Sequence, residues 1–166
     1  MQLAWWNFWD ISARRGGHEE WAKVEKPAQE AARNDFNDCR PVTLLGISHM
    51  MRARHNEART FYRDALELNP SYAWAYAHMG SSLYLDEEPD ASLVYTSKAI
   101  RLSPRDFIVW HAYADMATSH YMLRNYTNAV EAADCSLRYR PGYWLVHVVK
   151  ICSLVCAGKQ DDAREA

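Results

Sequence analysis

ALELNP (Ala65–Pro70) is matched 34 residues later by AIRLSP (Ala99–Pro104). Each stretch runs from a small residue through two leucine or isoleucine positions to a proline. One such ending is an ordinary helix stop, because proline cannot continue a helix. Two at a fixed interval indicate a repeating architecture, and periods of this length mark helical arrays.

Stepping outward by 34 extends the pattern. Ala65 falls on Ala31 and Ala99, Ala58 on Val24 and Ser92, and Gly46 on Ser12, Gly80 and Ala114. Val42 falls on Phe8, Tyr76 and Trp110, and Pro70 falls on Pro104. A longer step of 37 carries Pro104 to Pro141, Ala99 to Ser136 and Ser92 to Ala129. Small residues, large apolar residues and prolines keep to separate columns. Each repeat therefore reads as two helices. The first puts a large residue and then a small one on one face, as Tyr76 and Gly80 do. A glycine inside a helix costs roughly 1 kcal/mol against alanine, so close approach of the partner helix is the expected reason for it. The second helix carries small residues two turns apart, such as Ala58 and Ala65.

The expected helices are 3–15, 18–34, 39–52, 55–68, 72–85, 88–102, 106–123, 125–139, 143–157 and 159 onward. Pro41 and Pro89 fall in first turns, where proline is tolerated. Pro27 falls inside a helix and predicts a kink or split near Glu25–Pro27. The three extra residues of the 37-residue step predict one lengthened first helix.

The period and column order resemble the tetratricopeptide repeat (TPR), a helix–turn–helix unit of 34 residues. The repeat at 39–72 carries that motif best, with Leu45, Gly46, His49, Ala58, Tyr62, Ala65 and Pro70. The repeat at 73–106 carries Tyr76, Met79, Gly80, Leu83, Ser92, Ala99 and Pro104. The repeats at 5–38 and 107–143 depart from it at the glycine place, with Ser12 and Ala114. The incomplete repeat at 144–166 has Lys150 and Ile151 where the family has Leu-Gly. The fold implied is all-α: a right-handed superhelix, or α-solenoid, of antiparallel helix pairs. About four and a half repeats would form a single domain over 1–166. The stretches 65–84, 99–107 and 139–158 further resemble the TPR tails of bacterial class III adenylate/guanylate cyclases and related signalling proteins. That resemblance implies a regulatory setting, in which such repeats sit downstream of a catalytic or DNA-binding domain, and no cyclase chemistry here.

Composition narrows the function. Hydrophobic residues make up 49% and charged residues 24% of the 166, ordinary for a globular chain. The net charge of −2 supplies no long-range attraction to nucleic acid. MQLAWWNFWD at the start has no basic leader, and the apolar run 143–158 is interrupted by His147 and Lys150 and is too short to span a membrane. Cys39, Cys135, Cys152 and Cys156 follow no secreted disulfide framework, which predicts reduced thiols in the cytoplasm. Cys152 and Cys156 share a helix face and are expected in the core, since a zinc site would need two more ligands nearby. The seven histidines are scattered, and no orienting third group accompanies a Cys–His pair. No catalytic, cofactor or metal site is expected.

The TPR resemblance implies a concave face lined by first helices. Helical stepping places Trp6, Trp9, Arg40, Thr43, Ile47, Trp74, Ser81, Tyr84, His111 and Asp115 there. Aromatic rings with a few polar groups suit a groove for a partner protein or peptide. Thr43 and Ile47 stand where a clamp for a peptide's terminal carboxylate would need Lys and Asn, which argues against that ligand class. The final GKQDDAREA stops partway through a second helix. An end without a cap, with Leu154 nearby, would expose an apolar face and favour self-association.

Overall fold

The computed structural model describes residues 18–166. Among these every regular element is helical, and the chain divides into two compact units, Met1–His78 and Met79–Ala166. The first unit holds α1 (His18–Asn34), α2 (Cys39–Met51), α3 (His55–Leu68) and the opening turns of α4 (Ala73–Leu85). The second holds the rest of α4, then α5 (Pro89–Leu102), α6 (Val109–Met122), α7 (Tyr126–Tyr139), α8 (Trp144–Cys156) and the short α9 (Gln160–Glu165). Successive helices pack on one another: α1 on α2 and α2 on α3 in the first unit, then α5 on α6, α6 on α7, α7 on α8 and α8 on α9 in the second. The expected helix 3–15 lies outside the described residues.

The turn that joins the two helices of a pair is the same each time. Ala53, Glu87, Arg124 and Gly158 have positive φ values of 58°, 63°, 60° and 77°, at steps of 34, 37 and 34 residues. The next residue's N–H reaches back over the left-handed position: Arg54 to the His49 carbonyl, Glu88 to Leu83, Asn125 to His120 and Lys159 to Leu154. That bond satisfies a carbonyl which the helix end would leave open. Three of the four left-handed residues are not glycine, so the turn is imposed by the packing of the helices it joins.

The column residues explain that packing. A Cβ built on Gly46 would lie 2.4 Å from Cε1 of Tyr62, and one on Gly80 would lie 2.5 Å from Cγ2 of Thr96. Both neighbours are fully buried, so each first helix needs a glycine here to receive its partner. The second helices bury the expected small residues: Ala58 and Ala65, Ser92 and Ala99, Ala129 and Ser136. A serine column, Ser48, Ser82, Ser119 and Ser153, is wholly buried. Two of its members tie neighbouring helices together. The Ser48 hydroxyl donates to the Trp21 carbonyl at 2.8 Å, and that of Ser119 to the Ser92 hydroxyl at 3.0 Å. Ser136, on the second-helix side, donates to the Trp110 carbonyl at 2.8 Å.

Four expectations need correction. α1 runs unbroken through Pro27. Lys23, whose carbonyl the missing Pro27 N–H would have met, is exposed, while Val24 and Ala28 are buried, so the lost bond falls on the wet side. Two of the three extra residues fall in a connection, not a helix: 103–108 has six residues where 69–72 has four, and α6 has only one residue more than α4, 14 against 13. The Asp106 side chain closes this longer turn by accepting from the Ile108 N–H at 3.0 Å. The glycine column therefore continues from Gly80 to Ala117, not Ala114, and from Tyr76 to Tyr113, not Trp110. Cys156 is exposed and Cys152 half-buried, so the pair is not core; all four cysteines are unbridged. Finally, Leu154 is buried. The exposed apolar surface of α8 is instead the stripe Trp144, Val148, Ile151 and Val155, 55%, 46%, 36% and 51% exposed.

Candidate functional site

Trp6 and Trp9 lie outside the described residues. The other residues expected to line a groove fall in two groups, one per unit.

In the first unit Arg40, Thr43, Ile47 and Trp74 form no common site. Arg40 is exposed and turns back to the N-cap Asp38, its Nε and Nη2 donating to the two carboxylate oxygens at 2.8 Å each. The guanidinium's hydrogen bonds hold the Asp38 carboxyl below its usual range against the opposing effect of its partial burial. Thr43 and Ile47 are each only 2% exposed, and the Thr43 hydroxyl donates to the Cys39 carbonyl of its own helix. They pack inside the unit and present almost no surface. Trp74 is half-buried, its ring 6.1 Å from that of His78.

In the second unit Ser81, Tyr84, His111 and Asp115 come together. Asp115 sits on the inner side of α6 with 4% of its surface exposed. Its Oδ2 accepts from the Ser81 hydroxyl of α4 at 2.6 Å and lies 3.5 Å from His111 Nδ1, one turn back on α6. Burial pushes the Asp115 carboxyl up; His111 and the Ser81 hydroxyl pull it the other way. Two phenols belong to the same place. Burial and then the Asp115 charge raise the ionisation of Tyr84, far out of the ordinary range, and of Tyr143.

The wall beside Tyr143 is aromatic. The Trp110 ring stands 5.0 Å from that of Tyr143 at 77° and 5.3 Å from that of His111 at 85°. These are edge-to-face contacts of the favourable kind. The exposed Arg140 lays its guanidinium 4.4 Å above Trp110 and 5.3 Å above Tyr143, a cation–π arrangement.

Helical stepping missed Tyr143, Trp110 and Arg140. Trp110 was set in a core column by a 34-residue step that the longer 103–108 turn invalidates. Tyr143 and Arg140 flank Pro141 at the end of a repeat, and no periodicity within a helix marks a residue in a connection. The meeting of Ser81 with Asp115, 34 positions on, joins residues that are not equivalent in their repeats, since the true step here is 37.

Arranged this way, the second unit gathers a serine hydroxyl, an imidazole and two phenols about one buried carboxylate. Among the described residues no group of three or more His, Cys, Asp and Glu side chains is placed to hold a metal ion. No helix among them is long and apolar enough to cross a membrane.

No protein-family model matches the chain. Solved structures do. MamA from Desulfovibrio magneticus RS-1 is 20% identical, with a TM-score of 0.71 over 99% of this chain and 89% of that one. PilF of Pseudomonas aeruginosa is 16% identical, with a TM-score of 0.80 over 99% of this chain and 70% of that one. The APC/C hetero-tetramer Cut9–Hcn1 gives 15% identity and a TM-score of 0.78 over 85% of this chain, spanning 28% of that one. These neighbours are of the TPR type, and the likeness shows the fold: an α-solenoid of helix pairs.

Proposed function

We propose that the chain is a non-catalytic protein–protein interaction scaffold whose second unit presents a recess around Asp115 to a segment of a partner protein. One observation carries this reading: Ser81, Tyr84, His111, Asp115 and Tyr143, drawn from two helices and a connection, gather polar groups around one buried carboxylate. Preformed concave surfaces of this kind let helical repeats hold extended or helical segments. The resemblance to cyclase tails supports a regulatory setting, and four unbridged thiols support a cytoplasmic one.

The test is affinity purification with the intact chain, identification of what is retained, and binding measured again between purified proteins. Tyr84→Ala should weaken that binding by about tenfold with the helical signal unchanged. A partner held equally by the variant removes the recess from the interface, and failure to find any partner removes the scaffold reading.

A second reading, self-association, is favoured by the exposed stripe Trp144, Val148, Ile151 and Val155. Four apolar residues at steps of four, three and four form one helix face. Light scattering should then show a dimer that Val148→Glu dissolves. A wild-type monomer at high concentration defeats it.

A further inference from the structure

The contacts of Asp115 are one-sided. Among the described residues its hydrogen bond and its ionic contact both go through Oδ2, and Oδ1 accepts nothing. Oδ1 is not sealed in, since it is absent from the buried atoms without a partner. The same holds for the hydroxyls of Tyr84 and Tyr143, which make no hydrogen bond among the described residues and still touch solvent. Three polar atoms around Asp115 thus reach solvent and make no hydrogen bond among the described residues.

The chemistry of those atoms is specific. A carboxylate taken out of water needs a cation and hydrogen-bond donors to offset its lost hydration. Ser81 supplies one neutral donor, and His111, at 3.5 Å, is too distant for a good hydrogen bond. Among the described residues no lysine or arginine reaches Asp115: its contacts are with Ser81, His111 and the two phenols. The walls suit a cation too, since tyrosine and tryptophan faces attract ammonium and guanidinium groups. Arg140 already exploits this on the outer side, stacked over Trp110 and Tyr143.

We propose that the recess is the receptor for one basic side chain, lysine or arginine, of the partner polypeptide. Asp115 Oδ1 accepts its N–H, and the rings and hydroxyls of Tyr84 and Tyr143 flank the charged head. This rests on the scaffold reading and names the chemistry that the scaffold selects. A carboxylate at the base rules against an acidic segment, which would add a second buried negative charge.

The experiment uses the isotope-labelled intact chain and four blocked peptides of sequence Ala-Ala-X-Ala-Ala, with X arginine, lysine, norleucine or glutamate. Amide shifts on titration report binding and its place. The arginine or lysine peptide should move the signals of Ser81, Tyr84, His111, Asp115 and Tyr143. Norleucine, which keeps the lysine stem without the charge, should bind at least about tenfold more weakly, and Asp115→Asn should weaken the basic peptides by a similar factor. Equal binding of the norleucine or glutamate peptide, undiminished binding by Asp115→Asn, or no shift with any peptide overturns the proposal. If Asp115→Asn fails to fold, Tyr84→Phe combined with Tyr143→Phe keeps the rings and removes the hydroxyls. Basic-peptide binding that this pair leaves unchanged counts against the proposal equally. A natural partner held alike by wild type and Asp115→Asn would sink the basic-side-chain receptor while the scaffold stands.

Discussion

Glu25 in the first unit and Asp115 in the second are carboxylates tucked against a neighbouring helix beside a serine, and they are finished differently. Glu25 Oε1 accepts from the Arg52 guanidinium and from the Ser48 hydroxyl at 3.3 Å, with His49 Nε2 at 3.8 Å. Its charge is balanced inside the unit, and the pair ties α1 to the end of α2. Asp115 has a serine and a histidine in similar roles and, among the described residues, no arginine. The comparison teaches that like surroundings finish an acid differently: packing brings a guanidinium to Glu25 and, among the described residues, none to Asp115.

The largest effect should come from opening the closed site. Arg52→Met keeps the side-chain stem and leaves Glu25, 24% exposed, without its cation. The expected loss is about 2 kcal/mol in chemical denaturation, below the range for a fully buried pair because water reaches Glu25. A loss too small to measure would mean that Glu25 is solvated and that the contrast with Asp115 is false.

Asp115→Asn should act with the opposite sign. Burial raises the Asp115 pKa, so the folded state holds this proton more tightly than the unfolded one. The charge therefore lowers stability above the raised pKa, and the deficit is regained as pH falls towards the unfolded value of 3.8. The asparagine variant should melt higher than wild type at neutral pH, and the gap should close on acidification. Around Asp115, the Tyr84 and Tyr143 phenols, both raised by burial, stay neutral through this range. A His111→Asn background removes the facing imidazole from the comparison. A variant that melts lower at every pH would make Asp115 a structural acid like Glu25.

The smallest effect tests whether the two units share one framework. Ala53 and Arg124 occupy the same left-handed turn position, with φ of 58° and 60°. Ala53→Gly and Arg124→Gly should each stabilise by about 0.5 kcal/mol, the relief at positive φ less the added freedom of the unfolded chain. Equal shifts in melting temperature would assign the contrast between Glu25 and Asp115 to their side-chain partners. Unequal shifts would place part of it in the backbone.

Much of this organisation is legible in the residues. Helix ends follow from prolines 70, 104 and 141, which cannot continue a helix, and from the columns of small residues that let helices approach. Gly46 against Tyr62 and Gly80 against Thr96 are the contacts that those columns anticipate. The site was legible only in part. Ser81, Tyr84, His111 and Asp115 were placed on one surface by stepping along first helices, but Thr43 and Ile47, placed there by the same stepping, are buried. A periodicity tells which residues share a face of one helix, and not whether a neighbouring helix covers it.

The sequence by itself determined the helix pairs, their period and the small residues between them, because helix propensity, proline stops and steric size act over short stretches of chain. Tertiary structure alone decided that two of the extra residues sit in the 103–108 turn, that Glu25 finds Arg52, and that Asp115 finds Ser81 and His111 but, among the described residues, no lysine or arginine. Charge pairing depends on distance and burial across helices, and residues distant along the chain acquire both only when the helices pack.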